Sequence, residues 1–247
     1  MRSVPGVIYV KRFIPVWMLT AAIAVPSMAQ DYAQFSKQCY GGGGPDQTIV
    51  ACSAVISAGL AEKNDLAAAF KSRGSAYDAK TQYDKAIEDY DRAIAINPND
   101  ADIFNDRGTS QRALGHYDLA IADFDRATAI NPSNASALSN RCFAKAVAGQ
   151  AEQSLVDCDQ SLRLRPKDPD ALASRGFAYV KLGRYVEALA DYNAEIEISP
   201  GNAYSLYGRG IAKRMTGDVP GGDADIAAAV AINPHIADEM AKFDIRP

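Results

Sequence analysis

The chain has 247 residues with 26 Lys and Arg against 30 Asp and Glu, a mildly acidic balance without the broad positive field that gathers a polyanion. Nucleic acid is therefore set aside as a partner. Four cysteines without a CxxC spacing, and two distant histidines, His116 and His235, do not assemble a zinc set, so neither a metal nor a cofactor is expected.

Residues 1–29 stand apart. Arg2, Lys11 and Arg12 precede the apolar run Phe13 to Pro26, and Ser27-Met28-Ala29 then offers small residues before Gln30. That order reads as a cleavable secretory signal, because the apolar run falls short of the roughly 20 residues that span a bilayer core. Its removal takes three basic and no acidic residues, making the mature chain more acidic; a periplasmic or secreted location with no later membrane span is expected.

Beyond the leader, Pro98, Pro132, Pro166, Pro200 and Pro234 each lie 34 residues after the last. A period of this size marks a repeat array. The complete units run 67–100, 101–134, 135–168, 169–202 and 203–236. Position 8 is Gly74, Gly108, Gly176 and Gly210 in four of them, and position 20 is Ala86, Ala120, Ser154, Ala188 and Gly222. Small residues there let two antiparallel helices approach closely. With Phe70 at position 4, Tyr77 at 11, Tyr90 at 24 and Ala93 at 27, the pattern resembles the tetratricopeptide repeat. The resemblance implies an all-α chain, a right-handed α-solenoid of helix-turn-helix repeats, and a non-enzymatic role in binding a protein or peptide.

In chain order, residues 30–66 form a degenerate N-terminal capping repeat, with Gly41 to Pro45 as an overgrown turn and Gln47 to Leu60 as its second helix. In the complete units, Gly115, Gly149, Gly183 and Gly217 at position 15 end the first helix, while Asp100, Asn134, Asp168 and Asn202 N-cap the next unit. Residues 237–247 close the stack as a capping helix and tail; the helix is expected over His235 to Phe243, with Ile236, Met240 and Phe243 covering the last unit. About thirteen helices are expected in all.

Position 7, usually apolar in the family, is Arg73, Arg107, Arg141, Arg175 and Arg209, and position 23 is Asp89, Asp123, Asp157, Asp191 and Asp225. Opposite charges recurring beside a tight helix crossing suggest partly buried structural ion pairs, in or between units. A basic ladder for an acidic partner is the alternative. The register also brings Cys39 near Cys52, at positions 7 and 20, and Cys142 near Cys158, at positions 8 and 24. Two disulfides are expected, with buried thiols as the alternative.

By the same resemblance, first-helix positions 2, 5, 9, 12 and 13 line the concave surface. The early units place Ala68, Lys71, Ser75, Asp78, Asp102, Asn105, Thr109 and Arg112 there, a polar surface. The later ones place Phe143, Val147, Phe177, Val180, Lys181, Tyr204, Tyr207, Ile211, Arg214 and Met215 there. This second set is either a partner-binding groove or packing between adjacent first helices. Lys71 matches the family's carboxylate-gripping pattern, but Ser75 and Thr109 replace its Asn, so that clamp is unsupported. Gly41 to Gly44 lacks the residues of a phosphate loop, and no nucleophile with a base stands apart from the repeat. A self-associating envelope protein without a specific client is the competing role. N-terminal sequencing of the exported protein is expected to begin at Gln30; a product still starting at Met1 would contradict the leader.

Overall fold

The computed structural model describes residues 28–246. The expected leader lies outside the described residues apart from Met28 and Ala29, which begin the first helix. Thirteen helices follow: α1 (Met28–Tyr40), α2 (Pro45–Ala58), α3 (Lys63–Asp78), α4 (Tyr83–Ile96), α5 (Ala101–Ala113), α6 (Tyr117–Ile130) and α7 (Ala135–Val147), then α8 (Ala151–Leu164), α9 (Pro169–Lys181), α10 (Tyr185–Ile198), α11 (Ala203–Met215), α12 (Val219–Ile232) and α13 (Ile236–Ala241). Each odd-numbered helix up to α11 pairs with the next to form an antiparallel hairpin, and each hairpin packs on its neighbour.

The boundaries follow from local chemistry. Side chains of Asp100, Asn134, Asp168 and Asn202 accept backbone N–H bonds at the starts of α5, α7, α9 and α11, satisfying donors that a helix start leaves orphaned. Gly115, Gly149, Gly183 and Gly217 all have positive φ. In the first unit Thr81 holds that left-handed position, with φ 56°, against the steric preference of a β-branched residue.

Inside each hairpin the small residue at position 8 faces position 24. A Cβ added at Gly74 would lie 2.8 Å from Tyr90, at Gly108 2.7 Å from Phe124, and at Gly210 2.7 Å from Ile226, so the side chain lies directly on the backbone of the facing helix. The third unit replaces both partners: Cys142 and Cys158 form a disulfide with Cα atoms 5.5 Å apart. A second disulfide joins Cys39 and Cys52. Each is worth about 3 kcal/mol by the loop-entropy estimate.

The capping repeat departs from its expected register. α2 starts at Pro45 rather than Gln47 and ends at Ala58, and the turn at 41–44 is no longer than that at 79–82. Proline suits the first helical turn, where its missing N–H has no partner to lose. The displacement arises in α3, whose 16 residues exceed the 13 of α5 by almost one turn at the start. Cys52 therefore sits at the same place in its helix as Tyr90 and Cys158, the equivalent of position 24 rather than 20.

All five position 7 arginines fork onto their own unit's Asp. The Nε and Nη2 atoms of Arg107 donate to Asp123 at 2.9 and 2.6 Å, and those of Arg175 to Asp191 at 2.8 and 2.7 Å. Arg73–Asp89, Arg141–Asp157 and Arg209–Asp225 repeat the geometry. The remaining Nη1 crosses to the preceding unit, reaching Asp91 from Arg107, Asp125 from Arg141, Asp159 from Arg175, Asn193 from Arg209 and Ser53 from Arg73. These acceptors at position 25 were not anticipated, although Asp91, Asp125, Asp159 and Asn193 share the 34-residue spacing. The charges form paired structural bridges and leave no basic ladder.

Successive first helices touch one another, as in α3 with α5, α7 with α9 and α9 with α11, whereas second helices of adjacent units do not. The stack therefore bends with the first helices on its inner face.

Arg107 and Asp123 are the cleanest pair for a test, because Lys145 also reaches Asp157 and Lys213 also reaches Asp225. Arg107→Leu, which strands buried Asp123, is expected to cost about 3–5 kcal/mol. Arg107→Leu with Asp123→Leu is expected to recover most of it in denaturant melts; losses that simply add would contradict the pairing.

Candidate functional site

The inner face divides where its polar residues stop satisfying one another. In the first two units Tyr90 and Ser110 donate to the two oxygens of Asp78 at 2.8 and 2.7 Å, Lys71 lies 3.7 Å from Asp102, and Asn140 of the third unit donates to Asn105 at 3.0 Å. Burial pushes the Asp78 carboxyl up, and the nearby Asp106 carboxyl up to about 6.

Further along lies a cavity of about 440 Å³. Its lining comes mainly from first helices: Arg112 on α5, Ser139, Asn140 and Phe143 on α7, Ser174 and Phe177 on α9, and Tyr204 and Ser205 on α11. Met240 and Phe243 supply one wall from the end of the chain. The ring of Phe243 stands edge-on to Phe143 and Phe177, with centroids 6.1 and 5.7 Å away, while those two rings lie 5.0 Å apart. Lys181 Nζ donates to the Phe243 carbonyl at 2.7 Å, and Tyr204 donates to Glu239.

The closing segment thus differs from its expected form. α13 covers only Ile236–Ala241. Ile236 and Met240 are buried, but Phe243 reaches past the last unit and packs on Phe143 of the third and Phe177 of the fourth.

Of the ten expected groove residues, Phe143, Phe177 and Tyr204 line the cavity, Phe177 being largely buried there. Val180, Tyr207 and Ile211 are buried in the core and do not line it, so they are packing rather than exposed groove. Val147 packs against the same core. Lys181 is held by the closing segment, and Arg214 lies 3.2 Å from Asp223 on α12. Met215 is exposed but does not line the cavity.

Behind Asn202 and Ser205 lies Glu195, which occupies position 27 where other units carry Ala93, Ala127, Ser161 and Ala229. It is 1% exposed. Asn202 Nδ2 donates to its Oε1 at 3.1 Å, while Oε2 has no hydrogen-bond partner among the described residues. Burial raises its pKa. A carboxyl oxygen left unpaired in the core is costly, and no sequence signal beyond the break in a small-residue column announced it.

Comparison with known proteins now settles the family. Residues 74–142 and 145–203 each match a family model described as Tetratricopeptide repeat. This chain is a tetratricopeptide-repeat protein. Among solved structures, this repeat protein is similar to a tetratricopeptide repeat protein from Parabacteroides merdae, at 18% identity and TM-score 0.68, over 86% of this chain and 88% of that one. Pseudomonas aeruginosa pilF matches at 16% identity and TM-score 0.67, over 87% and 99%. YrrB, described as a TPR protein with an unusual peptide-binding site, matches at 19% identity and TM-score 0.55, over 78% and 96%. At these identities the likeness is one of fold. A search of curated proteins returns no match. No helix among the described residues is long and apolar enough to cross a membrane.

The raised Glu195 pKa has a definite sign. A carboxyl whose folded pKa exceeds its unfolded value, near 4.5, stabilises fully below that value and loses the contribution as pH rises through the folded one. Glu195→Gln is therefore expected to raise stability at pH 7 by on the order of 1 kcal/mol, with little effect at pH 4. Thermal melts at both pH values test this, and equal effects at both would refute it.

Proposed function

We propose that this tetratricopeptide-repeat protein is exported and binds a protein partner by receiving an extended peptide in the inner-face cavity that runs from the second to the fifth complete unit. The observation that carries the reading is the lining itself. Aromatic rings of Phe143, Phe177 and Phe243 stand beside hydrogen-bonding groups of Ser139, Asn140, Ser174 and Tyr204, the mixture that a binding surface needs to hold an apolar side chain and orient a backbone. YrrB, similar in fold, is described as having a peptide-binding site.

Export is supported by the leader-like residues 1–29 and by the two disulfides, which persist in oxidising compartments and are reduced in the cytosol. The repeat scaffold supplies shape, and chemistry of recognition lies in the residues that break the repeat.

A photo-crosslinking residue at Ala113, exposed and on the cavity lining, is expected to give one discrete adduct with a partner in cells expressing the exported protein. The same residue at Val186, 71% exposed on second helix α10, is expected to give none. Equal adducts from both sites, or an adduct only from Val186, would place the partner elsewhere.

A further inference from the structure

Among the cavity residues Arg112 is the anomaly. The position 7 arginines each hold a carboxylate fork, and the Asp123 and Asp191 hydrogen bonds keep the guanidinium pKa of Arg107 and Arg175 above its ordinary value. The Arg112 side chain makes no hydrogen bond and no ion pair with any described residue. Its Nε is buried and unpartnered, and burial pushes its pKa below the ordinary value. The guanidinium lies 5.4 Å from the Phe143 ring centroid, on a cavity wall whose one acid, Asp170, is exposed and forms no ion pair with it. Position 12 carries Asp78, Ala146, Val180 and Arg214 in the other units, so the repeat itself does not require a cation there.

A guanidinium remains charged throughout the physiological pH range, and a partly desolvated one without a counter-charge is unfavourable until an anion arrives. The Phe143 ring backs the group at cation–π distance, and the planar guanidinium fork suits a two-oxygen acceptor. Beside it, Phe143, Phe177 and Phe243 offer an apolar floor. We infer that Arg112 is the anchor of a carboxylate-binding site, whose ligand is a peptide carboxylate adjoining a large apolar side chain that rests on the three rings. The inference deepens the cavity reading above and rests on it. It also differs from a clamp built at Lys71, Ser75 and Thr109, since the anion holder is one arginine beside an aromatic ring and a wall comes from the chain's own end.

The test uses defined probes and the full mature chain in isothermal titration calorimetry. Acetyl-Ala-Ala-Phe with a free carboxylate is compared with the same peptide as its amide, and with acetyl-Glu-Phe-amide. At least one carboxylate-bearing probe is expected to bind about 10-fold or more tightly than acetyl-Ala-Ala-Phe-amide, the size of one charge-assisted hydrogen-bonded contact. Which one does so distinguishes a chain terminus from a side chain as the carboxylate source. Arg112→Gln, with an unchanged melting temperature, is expected to abolish the preference, and Arg112→Lys to restore it only in part. No binding by any probe at millimolar concentration, no preference for a carboxylate, or a preference that survives Arg112→Gln would overturn the assignment. If Arg112→Gln does not fold, the comparison of acid and amide on the unmodified chain still decides. Adducts at Ala113 without a carboxylate preference would retire the Arg112 assignment alone, whereas a carboxylate preference without adducts would retire the protein partner and keep the site.

Discussion

The structure depends on the three-way bridge made by each position 7 arginine. Two of its nitrogens close the hairpin on its own Asp, and the third crosses to the preceding unit's second helix. In a solenoid each unit contacts mainly its neighbours, so stability is a chain of local terms. The arginine contributes to both kinds of term at once. Its planar fork also fixes direction, which a lysine in the same place would not do. The aspartates are nearly dry, with side-chain exposures of 3% for Asp89 and 5% for Asp157, and removing the fork would leave each of them buried without its partner.

Against that background the inner face shows where the array departs from economy. Glu195 places a carboxyl in a column of small residues, and Arg112 places a guanidinium where neighbouring units need none. Both lie in or behind the same cavity. Departures from local consistency concentrate at functional sites, and here they coincide with aromatic rings that the chain's own C-terminal segment partly covers.

Much of the fold was legible in the sequence because its determinants are periodic or local. The prolines set the unit length, four side-chain caps mark the first helices, and the pairing of Cys142 with Cys158 follows from two departures in one hairpin. The capping repeat was misread by four residues because an added turn in α3 breaks the count. The site was less legible. Tyr207 and Ile211 fall on the inner face by register, yet adjacent first helices pack closely enough to bury them. Phe243 could not be placed on Phe143 and Phe177 by any repeat rule, since nothing periodic links a tail to units far behind it. Arg112 was visible as a groove residue, but its lack of a partner is a three-dimensional fact.

The disulfide between Cys142 and Cys158 has a consequence for the cavity. Elsewhere a ring or branched side chain at position 24 presses on bare backbone and glues the hairpin without chemistry. In the third unit two small sulfur atoms take the ring's place, and their bond closes the hairpin covalently where the other complete units rely on packing at this position. Cys142 is followed directly by Phe143, which lines the cavity. The one complete hairpin that is locked by a covalent bond thus also carries a ring of the cavity wall.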